Sequence, residues 1–99
     1  MRVVVLKQAD ESLRRSLSYL SAHYDRQYLV ALEKQVRIAI RGLADQPGAG
    51  QFETELDWTN AGYRRLIVRH FKIVYRIADD TIVVNDIFDS RRDPKGMKG

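Results

Sequence analysis

Several residue types and segment types are missing from this sequence, and each absence excludes a class of chemistry. The 99 residues include no cysteine, so disulfides, thiolate metal sites and cysteine nucleophiles are excluded. The lack of cysteine is compatible with a reducing cytoplasm, where we expect the protein. No apolar run approaches the roughly 20 residues that span a membrane. The apolar run at positions 3–6 is also too short for the core of a signal peptide.

Conventional catalytic signatures are missing as well. The sequence has no Gly-rich phosphate loop, no His-Glu-x-x-His pair and no Gly-x-Ser-x-Gly elbow. Its two histidines, His23 and His70, stand far apart and lack the spacing of metal ligands. We therefore expect a protein that uses no metal and no cofactor.

The sequence does contain an uneven distribution of charge. Residues 1–61 hold eight Lys or Arg against eight Asp or Glu, whereas residues 62–99 hold nine against five. The whole net charge of +4 therefore lies in the C-terminal part. Clustered positive charge favours phosphate-rich or acidic partners. A solvated basic face on an ordinary sheet accounts for the same charge equally well.

Hydrophobic periodicity predicts a short strand followed by two helices. The strand runs from Arg2 to Lys7, and the first helix begins at about Ala9. The second helix begins near Asp25, a favourable N-cap residue, and Pro47 stops it. The short link between them makes the helices an antiparallel hairpin. The apolar stripes predicted on the two helices are Ala9, Leu13, Leu17, Leu20 and Tyr24, and Leu29, Leu32, Val36, Ile40 and Leu43.

Alternating apolar residues predict three further strands, at about 62–68, 70–78 and 81–88. A tight turn at Asp79-Asp80 joins the last two strands. Residues 46–61 show neither period and are interpreted as irregular structure. Ninety-nine residues make one domain, spanning 1–99, with a tail from about residue 90 that we expect to end loosely.

The helix hairpin must bury its stripes, and the sheet is the only partner large enough. We therefore predict an α+β fold: an N-terminal strand and an antiparallel helix hairpin packed on one face of a small twisted, mostly antiparallel sheet. Leu17 and Val36 should lie at the helix–helix contact, with Ile73 and Tyr75 beneath them. Trp58, in the irregular segment, is expected to pack over the helix pair, although an exposed tryptophan could anchor a partner.

The other face of the predicted sheet is basic. Successive side chains of a strand point to opposite sides, so Lys72 and Arg76 lie opposite the apolar face. Arg65 on the neighbouring strand should share their side, whereas Arg69 lies at or next to a turn. The apolar face of the strand predicted at about 70–78 consists of Phe71, Ile73, Tyr75 and Ile77.

A basic face of this kind could serve RNA cleavage. That reaction requires stabilisation of charge on the phosphate, which arginine and lysine can provide without a perturbed carboxylate. Arg91 and Arg92 follow the last strand and can fold back to the edge of the sheet. His70, beside a turn, is either an exposed turn residue or a proton-transfer group.

Three segments of the chain together resemble the RelE/ParE toxins of bacterial type II toxin–antitoxin pairs. They are Gly62-Tyr63-Arg64-Arg65, the strand Phe-Lys-Ile-Val-Tyr-Arg-Ile at 71–77, and Ile-Phe-Asp-Ser-Arg-Arg-Asp at 87–93. With the two helices, the resemblance covers nearly the whole chain. It implies a growth-inhibiting toxin that a small cognate antitoxin neutralises, with a heterotetramer as one expected assembly.

The resemblance also implies roles for individual residues. In RelE-type toxins, basic residues at the positions of Arg65, Lys72 and Arg92 belong to the catalytic surface, and Lys72 stands where arginine occurs. RelE-type tails usually carry a tyrosine or histidine, which residues 91–99 lack, and ParE-type tails usually have histidine where this chain has Asp89. The predicted catalytic residues are Arg65, Lys72, Arg92 and His70, and the predicted RNA-binding residues are Arg69, Arg76 and Arg91.

Three functions remain open for such a toxin. We expect metal-independent cleavage of mRNA on the ribosome, because the positive charge lies in the sheet half and matches three basic family positions. The first alternative is ParE-like poisoning of DNA gyrase without catalysis. The second is an inactive toxin-like protein that only binds its antitoxin and aids repression.

Overall fold

The computed structural model describes residues 1–91, which form strands, two α-helices and one 3-10 helix. Within this range, no helix is long and apolar enough to cross a membrane. The elements are β1 Arg2–Val5, α1 Lys7–Leu20, α2 Arg26–Gly42, β2 Gln51–Phe52, the 3-10 helix Thr54–Thr59, β3 Arg64–Val68, β4 Phe71–Ala78 and β5 Thr81–Asp89.

The five strands form one sheet in the order β1-β5-β4-β3-β2. β1 runs parallel to β5, and all other neighbouring strands are antiparallel. The pairing of β4 with β5 shifts once: Val74 pairs with Asp86, but Tyr75 pairs with Val84. Asn85 is therefore an extra residue in β5, which is the pattern of a β-bulge. The predicted α+β fold is confirmed.

Both helices cover the same face of the sheet. Asp10, near the start of α1, accepts a hydrogen bond of 2.7 Å from Arg37, near the end of α2, so the helices run antiparallel as predicted. This hydrogen bond lowers the pKa of Asp10. The core between the helices and the sheet, here called the helix-side core, contains Ala9, Leu13, Leu20, Leu32, Val36, Ile40, Leu43, Phe71, Ile73, Tyr75, Ile82, Val84 and Ile87.

The structure confirms most of the predicted core. Val36, Ile73 and Tyr75 are fully buried. Leu17 is half-buried and packs against the helix-side core, and its place at the helix–helix contact stays a prediction. Ile77 is partly exposed because it lies near the end of β4, close to the hairpin turn.

Element boundaries differ from the prediction by a few residues. β1 ends at Val5 and α1 begins at Lys7, each about two residues earlier than predicted. The predicted N-cap is correct, because the carboxylate of Asp25 accepts the backbone N–H of Tyr28 at 2.8 Å. Tyr24 lies beyond the end of α1, outside the helical stripe, and its ring stacks on that of Tyr28 with centroids 4.7 Å apart.

The predicted irregular segment 46–61 is partly regular. It contains β2, which extends the sheet beside β3, and the 3-10 helix. Both are too short to display a hydrophobic period, which is why the sequence pattern missed them. The 3-10 helix covers the face of the sheet opposite the α-helices. Its Leu56 is buried with Tyr63, Val74 and Phe88, which together form the opposite-side core.

Gly50 brings the chain from α2 to the edge of the sheet. Its N–H donates to the hydroxyl of Tyr75 at 2.9 Å, and that hydroxyl donates to the carbonyl of Pro47 at 2.8 Å. A Cβ atom at position 50 would lie 2.5 Å from the carbonyl oxygen of Arg65 and 2.8 Å from the Tyr75 ring. Only glycine fits this close approach. The fit fixes the start of β2, and with it the position of Glu53.

Candidate functional site

Three of the predicted site residues lie on the face that carries the opposite-side core. Arg65 pairs with Val74, and Ile67 pairs with Lys72. Since side chains alternate along a strand, Arg65 and Lys72 share the side of Val74, as predicted. Arg76 lies two residues further along β4 on the same side and is half-buried.

Arg65 and Lys72 are held by a carboxylate that the sequence did not single out. Lys72 Nζ lies 2.5 Å from Oε2 of Glu53, a charge contact without hydrogen-bond alignment. Arg65 Nη1 lies 3.9 Å from Oε1 of the same carboxylate. The Arg65 guanidinium also donates to the carbonyl of Phe52 at 2.6 Å and to the side chain of Gln51 at 3.1 Å. Both cations thus contact Glu53, the residue after β2, and Arg65 also bonds to β2 itself.

Glu53 is built into the fold. It is 2% exposed and lies between β2 and the 3-10 helix. Its N–H donates to the carbonyl of Tyr63 at 2.8 Å, and its Oε1 accepts the N–H of Glu55 at 3.3 Å. A buried carboxylate is stable only when it is paired, and Lys72 and Arg65 supply the pairing. The three side chains form a unit, here called the Glu53 cluster.

The Glu53 cluster limits what these two cations can do chemically. A phosphate that used Lys72 and Arg65 would have to displace an internal carboxylate from Lys72, whose side chain is 12% exposed. Displacement would leave Glu53 charged, buried and without its partners, which is costly. The catalytic roles of Arg65 and Lys72 stay predictions.

The other predicted residues gather elsewhere, where the β3–β4 turn meets the end of β5. Arg69 has a left-handed backbone conformation, with φ of 57°, and donates to Gln35 of α2 at 3.1 Å, toward the helix layer. His70 is exposed in the turn, and its carbonyl accepts hydrogen bonds from the N–H and the hydroxyl of Ser90. The catalytic role of His70 and the RNA contact of Arg69 also stay predictions.

Arg91 is bound to a buried carboxylate at the end of β5. Its Nε and Nη2 donate to the two oxygens of Asp89 at 3.1 and 2.9 Å. Burial favours the neutral form of Asp89, but the hydrogen bonds from Arg91 outweigh it and hold the pKa of Asp89 below its usual value. Bonds to Asp89, and a further one to Tyr24, raise the pKa of Arg91. Arg91 is therefore also neutralised locally, and its RNA contact stays a prediction.

Two predictions remain: the catalytic role of Arg92 and the absence of a metal site. Arg92 lies outside the described residues. Within residues 1–91 there is no group of three or more His, Cys, Asp or Glu side chains that could hold a metal ion.

Sequence reasoning missed the contacts that organise the edge of the sheet. Arg64 donates to the carbonyl of Gly50 at 2.8 Å, and its guanidinium lies 4.0 Å from the ring centroid of Phe52. Neither this contact nor Glu53 belongs to a motif, so no spacing in the sequence could have indicated them. The expectation for Trp58 was wrong, because it does not pack over the helices and is 81% exposed.

A helix hairpin on one face of this five-stranded sheet is the architecture expected of RelE/ParE toxins, and a solved structure has the same fold. The structure described as the chromosomal ParDE TA system from P. aeruginosa matches with a TM-score of 0.74 and 15% sequence identity. The match covers 90% of this chain and 95% of that chain. This match shows that the two chains share a fold.

A sequence comparison gives the particular family. The family model described as the ParE toxin of the type II toxin-antitoxin system, parDE, matches residues 3–94. The chain therefore belongs to the ParE toxin family of type II toxin–antitoxin systems. The search of curated proteins found no match.

Proposed function

We propose that this ParE-family toxin stops growth by binding and poisoning DNA gyrase, without catalysing a reaction. Family membership favours this function over the mRNA cleavage that the basic residues suggested. The structural observation in its support is the Glu53 cluster. Two of the cations that RNA cleavage would need are bound to an internal carboxylate. A toxin that acts by binding needs an exposed contact surface, but it does not need free catalytic cations.

The test compares the two mechanisms directly. Purified toxin is added to a gyrase supercoiling assay, and mRNA 5′ ends are mapped after brief induction in bacteria. We expect inhibited supercoiling, a DNA-damage response and intact mRNA. New 5′ ends inside messages, with normal supercoiling, would contradict the proposal and restore the RelE-like alternative. The absence of both effects would favour the inactive toxin-like protein.

Arg92 provides a second way to separate these functions. For RNA cleavage, Arg92→Ala should relieve toxicity and reduce the salt dependence of RNA binding by about 0.7 in the log–log slope for one lost phosphate contact. If the toxin poisons gyrase, we expect it not to bind RNA. Arg92→Ala then has no salt dependence of RNA binding to alter. New 5′ ends inside messages are expected only for RNA cleavage, so the mRNA map decides between the two functions.

We also propose that a cognate antitoxin neutralises this chain by packing against the helix hairpin and the sheet edge. Val30 and Ile38 lie eight residues apart on one side of α2, and about half of each side chain is exposed. Exposed apolar side chains aligned on a helix are suited to a partner segment that folds on binding. Co-expression with the adjacent small open reading frame should restore growth and co-purify both proteins. Failure of both results would contradict this partner.

A further inference from the structure

One large apolar side chain stands almost fully in solvent on an ordered element. Trp58, in the 3-10 helix Thr54–Thr59, is 81% exposed. Tryptophan is highly buried on average in folded proteins. Tryptophan is also enriched among the few residues that dominate binding energy at protein interfaces. The exposure of Trp58 therefore calls for a partner rather than a packing role.

The backbone beneath Trp58 is held in place. Leu56, two residues before it, is buried in the opposite-side core. The Thr59 hydroxyl donates to the Leu56 carbonyl at 2.7 Å, and Asn60, with φ of 58°, ends the helix by donating its N–H to the carbonyl of Asp57. A side chain presented by an ordered element loses less freedom on binding than one on a loose loop.

Charge around Trp58 indicates the chemistry of the partner. Glu55 and Asp57 flank it and are exposed, and no ion pair involves either carboxylate within residues 1–91. This negative tip stands on a chain whose net charge is +4. Nucleic-acid phosphates would be repelled by it. A protein pocket with an apolar floor and Lys or Arg at its rim would match both the indole and the carboxylates.

We propose that the 3-10 helix is the surface by which this toxin docks on its protein target, with Trp58 inserted into an apolar pocket that has a basic rim. The proposal rests on the proposed function, because it takes the toxin to act by binding a protein. The antitoxin is the other protein that could bind the 3-10 helix. Val30 and Ile38, the exposed apolar residues of α2, belong to the helix layer, across the sheet from Trp58. An antitoxin packed there would leave the 3-10 helix to the target.

The experiment uses the full chain with two pairs of matched substitutions. Trp58→Ala is compared with Val30→Ala, which removes an exposed apolar side chain from the other layer. Asp57→Lys is compared with Asp45→Lys, the same charge reversal at an exposed position after α2. Gyrase inhibition, growth arrest, antitoxin affinity and melting temperature are measured for each variant.

We expect Trp58→Ala to weaken gyrase inhibition about thirtyfold or more, which is the size typical of an interface hot spot. Trp58→Phe should restore part of the effect, and Asp57→Lys should weaken inhibition where Asp45→Lys does not. The melting temperature should stay unchanged in all four single variants of the two pairs. Antitoxin affinity should stay unchanged in Trp58→Ala, Asp57→Lys and Asp45→Lys. Val30→Ala is the exception for affinity, because Val30 lies on the proposed antitoxin surface.

The outcomes separate this proposal from the proposed function. If wild-type toxin does not inhibit gyrase but Trp58→Ala still relieves growth arrest, the docking surface stands and the gyrase target falls. If folded Trp58→Ala and Asp57→Lys both remain fully toxic, the docking surface is overturned. Loss of antitoxin affinity with toxicity unchanged would assign the surface to the antitoxin, which also overturns the proposal.

Discussion

The two faces of the sheet are covered in different ways. On one face, α1 and α2 supply whole apolar stripes, and the helix-side core holds thirteen buried residues. On the other face, a six-residue 3-10 helix supplies one leucine, and the opposite-side core holds four. The first face buries most of the core residues and is expected to contribute most of the stability, because burial of apolar area dominates folding. The second face contributes less to folding and displays Trp58, on which the proposed docking to the protein target depends.

Within residues 1–91, a buried carboxylate on each face is paired with arginine or lysine. On the helix side, Asp89 pairs with Arg91 and its N–H bonds to Ser16 of α1 at 3.4 Å. On the opposite side, Glu53 contacts Lys72 and Arg65. Three basic residues of the C-terminal part, Arg65, Lys72 and Arg91, are therefore paired with carboxylates of the same chain. Net charge alone did not reveal this, because a count of charges ignores which of them are neighbours in space.

The largest expected effect compares the same substitution in the two cores. Leu13 and Leu56 are both buried, one in each core. Leu13→Ala should lower the free energy of unfolding by about 2–5 kcal/mol, because it leaves a cavity in a densely packed core. Leu56→Ala should cost less, because a core of four residues near the surface can open locally while the rest stays folded. Urea unfolding measures both losses.

Native-state hydrogen exchange tests the reason for that difference. After Leu56→Ala, faster exchange should be confined to residues 51–63 and the adjacent part of β4. After Leu13→Ala, it should spread through the helices and the sheet. Equal losses of stability, with the same spread of exchange, would show that both cores belong to one cooperative unit, and the distinction between the two faces would fail.

This difference also explains how much the sequence could predict. The helix stripes and strand alternation placed Val36, Ile73 and Tyr75 in the core, since long elements repeat their pattern several times. The 3-10 helix and β2 are too short to repeat anything. Leu56 therefore carried no signal, although its burial determines where Trp58 stands.

The candidate site was less predictable than the fold. Alternation correctly placed Arg65 and Lys72 on the face opposite the helices, because it follows from strand geometry. It could not show that Glu53, twelve residues before Arg65 in the chain, returns to the same place. That contact depends on the path past Gly50 and the pairing of β2, which no local pattern specifies.

The second prediction concerns the Glu53 cluster. Glu53→Gln removes the charge that holds Lys72 and Arg65, leaving two cations close together at a largely buried site. We expect a loss of roughly 2–3 kcal/mol, somewhat below the cost of breaking a fully buried pair, because Lys72 keeps some contact with water. Urea unfolding of the variant at neutral pH measures the loss.

Two control variants sharpen this result. Glu33→Gln removes a carboxylate that pairs with Arg37 on the helix layer, where both side chains are about one-third exposed, and it should cost less than about 1 kcal/mol. The double variant Glu53→Gln with Lys72→Met should recover part of the loss, since replacing both charges removes the unpaired cation. A similar cost for Glu53→Gln and Glu33→Gln would show that the cluster is no more than a surface pair.

The smallest expected effect concerns Asp89 on the helix side. Because Arg91 holds its folded pKa below the usual value, Asp89 stabilises the fold at pH values above its unfolded pKa of about 3.9. That contribution is lost as the pH falls through the lower folded pKa. Asp89→Asn should therefore cost about 1.5 kcal/mol near neutral pH, the scale of a hydrogen bond to a charged group. The cost should shrink as the pH is lowered below about 4.

Urea unfolding of wild type and Asp89→Asn at a series of pH values checks this dependence. Asp45→Asn, at an exposed position, is the control and should show almost no difference from wild type at any pH. Since the carboxylate is protonated in both states at low enough pH, the wild-type advantage must disappear there if the charge causes it. A difference that stays constant through the acid range would mean that Asp89 stabilises the end of β5 by shape and neutral hydrogen bonds. The charge of Asp89 would then not stabilise the helix side in the way that the charge of Glu53 is expected to stabilise the opposite side.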